Sequence, residues 1–306
     1  MRAAPIFQLD ELARLRRALD ATNGNLVCIY GRRRLGKSRL LTAALAERKA
    51  VYYVADERDG AVQRHDLAQE MDRVVPGMGA VTYPSWLALL EAWWRQAPAQ
   101  SVLAIDELPW LAAAAPELPS LLQKLIDRRQ PRHVVLCGSS SRMMHGLVLN
   151  SAAPLLGRAT EILRLTQLEI SWAGRAFGLR DPAEIVERYA LWGGVPRYWE
   201  LAADWPDMWS GVESLVLHQN GVLHDEPRRL LADELPDTVR PASLLAVVGQ
   251  GCHRLAEIAS RMAYQALRCP DPLRCWWIWD FFAAIPPLAP QRKTQSAAST
   301  KSLIRC

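Results

Sequence analysis

Residues 31–38 read Gly31-Arg32-Arg33-Arg34-Leu35-Gly36-Lys37-Ser38, the spacing G-x-x-x-x-G-K-S. The chemistry this spacing serves is the grip on a nucleotide triphosphate. Glycines let the backbone curl so that successive N–H groups point at phosphate oxygens. Lys37 reaches the β- and γ-phosphates, and the Ser38 hydroxyl offers an oxygen to Mg²⁺. About 70 residues on, Val102-Leu103-Ala104-Ile105 runs into Asp106-Glu107. The first carboxylate is placed to hold Mg²⁺, directly or through water, and the second to orient an attacking water, the Walker B pattern. Gly138-Ser139-Ser140-Ser141 ends another apolar run. Hydroxyls there either meet the γ-phosphate and its water or cap a following helix.

Elements must bring these clusters together. Asn25 to Tyr30 is a short apolar run that reads as a buried strand, and Ser38 to Arg48 has the apolar spacing of a helix. Strand, loop and helix is the order a phosphate loop needs. Further strands are expected at 51–54, 102–106 and 133–138, with helices at 7–20, 61–75, 84–97 and 117–129 and a short one at 142–149. Near-continuous apolar strands alternating with helices imply an α/β fold, a parallel sheet covered by helices on both faces. From about residue 166 the pattern is helical only: 167–177, 182–192, 196–203, 205–219 and 226–234.

The bulk properties bound the rest. Among 306 residues half are apolar, 23% are charged, and the net charge is +5. This is the balance of a soluble protein that permits nucleic-acid contact without requiring it. The six cysteines form no C-x-x-C pair and no zinc spacing, so a reduced, cytoplasmic protein with Cys28 and Cys137 in its core is expected. A polar, helical N-terminus argues against a signal peptide, and no run of 18 apolar residues exists for a membrane span. Most of the twelve tryptophans are expected to be core or interface anchors.

In this order the chain resembles the archaeal-type ATPases of the STAND branch of AAA+ P-loop NTPases, over roughly residues 6–262. The resemblance rests on GRRRLGKS at 31–38, LAIDELPWL at 103–111, VVLCGSSSRMM at 134–144, PLLGRATEILRL at 154–165 and YALWGGVPRYWE at 189–200. It implies a P-loop ATPase domain at 1–165, a helical lid at 166–238 and a partial winged helix at 239–263. It also implies ATP and Mg²⁺ as cofactors. Gly31, Arg32, Arg33, Arg34, Leu35, Gly36, Lys37 and Ser38 would bind phosphates, Ser38 and Asp106 would hold the metal, and Glu107 would be the catalytic acid. Ser139 would sit at a sensor position, and Arg158 resembles a family arginine that senses the γ-phosphate. Gly194-Val195-Pro196 resembles a G-x-P element by which Pro196 brings the lid against the base. The stretch from Phe7 to Leu15 resembles the family's F-x-x-R-x-x-E-L entry but lacks its arginine. Such ATPases act as switches on a protein partner or in a homo-oligomer. The other readings are an ATP-regulated DNA-binding protein and a metabolic phosphoryl transferase. Against the latter, an acid directly after Asp106 favours water as nucleophile.

Residues 241–262 read as two helices, Ser243 to Val248 and Leu255 to Met262, around Gly249-Gln250-Gly251. They resemble the first half of a winged helix-turn-helix, whose next helix would enter a major groove. After about residue 263 the character changes. Cys275-Trp276-Trp277-Ile278-Trp279-Asp280-Phe281-Phe282 has neither helical nor strand logic, and 290–306 is rich in Ser, Thr, Lys and Ala, a composition of disorder. Tryptophan has a single codon, and one allowed spelling of this run, shifted by two bases, encodes Leu-Val-Asp-Leu-Gly-Phe-Leu-Arg. The stretch 264–306 therefore reads as an aberrant tail, frameshifted or disordered, behind a damaged winged helix.

Overall fold

Five short strands form one parallel sheet: β1 (Leu26–Tyr30), β2 (Ala50–Val54), β3 (Val102–Asp106), β4 (His133–Gly138) and β5 (Ala159–Arg164), in the order β2-β3-β4-β1-β5. The computed structural model describes residues 8–262 except 152, 236, 237 and 253. Every residue of β3 and β4 is buried, as a sheet covered on both faces requires.

The two faces have separate cores. On one, α1 (Leu9–Leu19) and α2 (Lys37–Leu45) pack Leu12, Leu15, Leu40 and Leu41 on Val27, Ile29 and Val135. Helix α1 forms because its leucines recur at three and four residues, with Asp10 and Glu11 in its first turn and Arg16 and Arg17 in its last. On the other face lie α3 (Gly60–Asp72), α4 (Trp86–Gln96), α5 (Leu108–Ala114), α6 (Leu118–Ile126) and α7 (Ser141–Met144). There Trp93, Trp94, Leu89 and Leu122 bury against Leu103, Ile105 and Leu136. Ser85 caps α4 by accepting from the Ala88 N–H at 3.2 Å. A π-turn, His145–Leu149, continues α7.

Because all pairs are parallel, the carboxyl ends of the strands share one edge. Tyr30 lies beside Gly138, and Ile105 beside Leu136. The phosphate loop after β1, the acids after β3 and the serines after β4 therefore meet at that edge, where open α/β sheets bind ligands.

The remaining helices are α8 (Ala173–Phe177), after a 3₁₀ turn at Ile170–Trp172, α9 (Pro182–Trp192), α10 (Pro196–Ala203), α11 (Met208–Val212), extended by a π-turn at Glu213–Leu217, α12 (Glu226–Glu234), α13 (Val239–Gly249) and α14 (Leu255–Arg261). The part from Leu168 to Leu223 has its own core of Leu168, Trp192, Trp199, Val212 and Leu215. The turn at 193–196 ties it to the sheet. Gly194 accepts from the Leu168 N–H at 2.7 Å, and a Cβ at Gly194 would stand 2.1 Å from the Leu168 carbonyl. Next to it, Val195 packs on the α1–α2 core.

Three stretches differ from the sequence expectation. Strand β5 was not anticipated: it is an edge strand with Thr160, Ile162 and Arg164 exposed, so it carries no apolar run. Helix α5 begins at the acid pair, where Glu107 takes φ 53° and turns the chain straight from strand into helix. The stretch expected to be helical at 167–177 begins instead with an extended Gln167–Glu169 segment and the 3₁₀ turn. Phe7, the part of the winged-helix segment beyond Met262 and the tail 264–306 lie outside the described residues. Among the described residues no helix is long and apolar enough to cross a membrane.

Candidate functional site

The phosphate loop curls between β1 and α2. Gly36 takes φ +93° as the residue before α2, a conformation open to glycine at little cost. Arg34 takes φ 68°, and Glu107 across the cleft is also left-handed. Strain of this kind in non-glycine residues gathers at functional sites. The buried Lys37 ammonium donates to the carbonyls of Gly31 at 2.7 Å and Arg32 at 2.9 Å. Burial pulls its pKa below the ordinary lysine value, with Glu107 and Asp106 acting against that shift.

Ser38 donates its hydroxyl to Asp106 Oδ2 at 2.8 Å. Asp106 is 2% exposed, and its Oδ1 accepts from the Glu107 N–H at 2.9 Å. Tyr52 of β2 donates to the same Oδ2 at 2.8 Å. One hydroxyl and one carboxylate at this spacing are hard oxygen donors that suit Mg²⁺, which takes few protein ligands and fills its octahedron with phosphate oxygens and waters. Among the described residues no group of three or more His, Cys, Asp or Glu forms a denser metal cluster.

Ser139 holds Glu107. Its backbone N–H donates to Oε2 at 3.1 Å and its hydroxyl to Oε1. Ser140 does the capping, with its Oγ accepting from the Met143 N–H at 3.3 Å. The capping role open to this serine run thus falls to Ser140, while Ser139 is tied to Glu107.

The helical part covers the loop's arginines with acids. Arg34 Nη1 meets Glu226 Oε2 at 2.9 Å, Arg33 Nε meets Asp233 Oδ2 at 3.3 Å, and Arg39 Nη2 meets Glu200 Oε1 at 2.5 Å. Glu226 Oε1 also accepts from the Tyr198 hydroxyl at 2.8 Å, and the Arg34 guanidinium stacks 5.8 Å from that ring. Between loop and helices a cleft of about 500 Å³ is lined by Gly36, Lys37, Ser38, Glu107, Ser139 and Pro196, among others. Leu35 is buried, and its carbonyl accepts from Gln8 Nε2 at 2.7 Å.

Arg158 stands apart. It precedes β5, at the end of the sheet away from the loop, and its guanidinium is bound to Asp127 through Nε at 2.8 Å and Nη2 at 3.0 Å. A strand of this length separates it from the loop by roughly 17–20 Å, so it does not join the cleft of its own chain.

The sequence reading did not find Tyr52, Gln8 or the acids Glu200, Glu226 and Asp233. Of these, Gln8 lies in the N-terminal stretch whose family arginine is missing, and Glu200 ends the stretch YALWGGVPRYWE at 189–200. The others meet the site through space, with no fixed spacing to the motif.

Comparison with known proteins places this geometry. Residues 9–200 match the model of a family described as an ATPase domain predominantly from Archaea. An uncharacterised protein of Methanocaldococcus jannaschii is 27% identical over 259 residues, 84% of this chain and 56% of its own length. The chain thus spans about half of that curated relative. Among solved structures, the Walker-type ATPase PABY2304 of Pyrococcus abyssi superposes with a TM-score of 0.64 at 20% identity, covering 92% of this chain and 90% of that one. The ORC2 protein of Aeropyrum pernix, in ADPNP and ADP complexes, superposes with a TM-score of 0.56 at 13% identity, covering 92% and 86%. These two likenesses speak to the fold. With the family match over more than half of its length, the chain belongs to this archaeal-type ATPase family.

Proposed function

We propose that this archaeal-type ATPase binds Mg²⁺-ATP between the phosphate loop and a helical lid, residues 166–238. Hydrolysis would drive a STAND-like conformational switch. The observation that carries this reading is the run of hydrogen bonds from Ser38 to Asp106, through the Asp106-Glu107 backbone, and from Glu107 to Ser139. It supports the reading because it brings Ser38, Asp106, Glu107 and Ser139, the groups that would hold the metal, orient water and sense phosphate, side by side at the loop.

In this reading the phosphate oxygens replace the Gly31 and Arg32 carbonyls as acceptors for Lys37. The α2 amino end and the loop's N–H groups hold the β-phosphate. Mg²⁺, when bound by Ser38 and Asp106, supplies charge neutralisation of the phosphates. Glu107 accepts a hydrogen bond from water and aligns it on the γ-phosphorus. The new P–O bond forms as the bond to the ADP oxygen breaks, and a proton is released with phosphate. Ser139 fixes the angle of the Glu107 carboxylate. Pro196 and its helix close the cleft, and the arginine–acid contacts carry loop movements to the lid. The switch acts on a protein partner or within a homo-oligomer, where an Arg158 from one chain could meet the γ-phosphate of another. The ADPNP and ADP complexes of the Aeropyrum pernix protein support nucleotide as the ligand.

A second reading is an ATP-regulated DNA-binding protein. It draws on the helix pair α13 and α14 and on the net charge of +5. DNA affinity that falls steeply with salt would support it.

The test is ATP binding by calorimetry, wild type against Lys37→Ala. Micromolar binding that Lys37→Ala loses by more than 100-fold supports the reading; equal binding by both overturns it.

A further inference from the structure

Tyr52 is a hydroxyl donor to Asp106 that the phosphate-loop motif does not account for. Strand register pairs Tyr52 with Ala104 and Val54 with Asp106. Tyr52 and Asp106 are thus diagonal neighbours on one face of the sheet, the face covered by α2 and its Ser38. The neighbours of Tyr52 on that face, Ala50, Val102 and Ala104, are apolar. A half-buried phenol among them needs a partner for its hydroxyl, and it finds Asp106 Oδ2 at 2.8 Å. Ser38 addresses the same oxygen at 2.8 Å, and the Glu107 N–H addresses Oδ1 at 2.9 Å.

We propose that Tyr52 is a positioning residue for the Mg²⁺ site, fixing the Asp106 carboxylate through Oδ2 so that it is already oriented when Ser38 turns a lone pair toward the cation. This inference rests on the Mg²⁺-ATP reading of the site. A serine hydroxyl has one proton and two lone pairs, so engaging a metal redirects it. The phenol does not ligate the cation and has no such competing task. A phenol gives up its proton only at about pH 10, so it is a donor at physiological pH. Once Ser38 is redirected, the backbone N–H on Oδ1 and the weakly donating thiol of the buried Cys137 beside Asp106 leave the carboxylate freedom to swing. Tyr52 removes this freedom, a pre-organisation that raises metal affinity without adding a ligand.

The experiment measures ADP affinity of wild type and Tyr52→Phe twice, in EDTA and in saturating Mg²⁺, with thermal midpoints alongside. ADP avoids turnover, so the readout is metal-assisted binding rather than activity. The expected result is an EDTA affinity within about twofold of wild type, with the Mg²⁺ advantage reduced about three- to tenfold, the scale of one hydrogen bond to a charged group. Tyr52→His, which restores an N–H donor, should recover part of that advantage. An unchanged Mg²⁺ advantage in Tyr52→Phe overturns the proposal, as does equal weakening in both arms, which marks a merely structural tyrosine. If the wild type binds ADP with no Mg²⁺ advantage, or does not bind it, the Mg²⁺-ATP reading itself fails and takes this inference with it.

Discussion

Ser139 grips Glu107 with two donors, its backbone N–H on Oε2 and its hydroxyl on Oε1. The pair joins the carboxyl ends of β3 and β4, and it holds a carboxylate whose own backbone is left-handed at φ 53°. A flexible glutamate is thereby given one orientation beside the phosphate loop, which positioned general-base chemistry requires.

Removing the hydroxyl should therefore harm turnover more than binding. Ser139→Ala keeps the N–H on Oε2 and loses the contact to Oε1. Phosphate release should fall about tenfold or more, the lower range for misaligned acid–base groups, while ATP affinity stays within about twofold. Steady-state phosphate release and calorimetry on the same preparation check both halves.

The arginine–acid contacts of the helical part are unequal, and their burial ranks them. Glu226 is 9% exposed at its side chain, pairs with the Arg34 charge and accepts a hydrogen bond from Tyr198. Glu226→Ala strands two donors and should lower the unfolding free energy by about 2 kcal/mol. Arg33 and Asp233 are 50% and 33% exposed, so Asp233→Asn should cost about 0–1 kcal/mol, less in high salt. Denaturant unfolding of the two variants in low and high salt reads the difference.

His133, at the opposite edge of the sheet, should make stability depend on pH. The residue is fully buried. Its Nδ1 accepts from the Asn25 N–H at 3.2 Å and its Nε2 meets Gln100 Oε1 at 2.9 Å, a pattern that fits the neutral ring with its proton on Nε2. Burial lowers the folded pKa, assisted by the charge of Arg48 and opposed by Asp20. Above the unfolded value of about 6.5 both states are neutral and the full contribution is present. As pH falls below it the unfolded chain takes up the proton first, so stability drops until the folded ring also protonates. Between pH 7.5 and 5.5 the wild type should lose more unfolding free energy than His133→Gln. Equal losses would remove His133 as the cause.

Legibility in the sequence followed locality. The phosphate loop, β1 and α2 were readable because eight consecutive residues carry the pattern and its neighbours carry the periodicity. The acids after β3 were readable because a buried strand announces its own end. Strand β5 was not, because an edge strand exposes Thr160 and Arg164 and loses the apolar run. Tyr52 escaped for a different reason: its reach to Asp106 depends on strand register, β2 beside β3, which spacing along the chain does not encode. The acids Glu200, Glu226 and Asp233 likewise lie about 160 to 200 residues from the arginines they meet. Arg158 carried a family resemblance, yet the order of strands put it at the far end of the sheet.

The central claim is that Glu107 orients water for hydrolysis of ATP held at the phosphate loop. The most direct measurement is phosphate release by the wild type and Glu107→Gln at saturating Mg²⁺-ATP, with ATP affinity measured for both. The account predicts a loss of release of about 100-fold or more with affinity kept within about threefold. Equal release rates in the two proteins would contradict it.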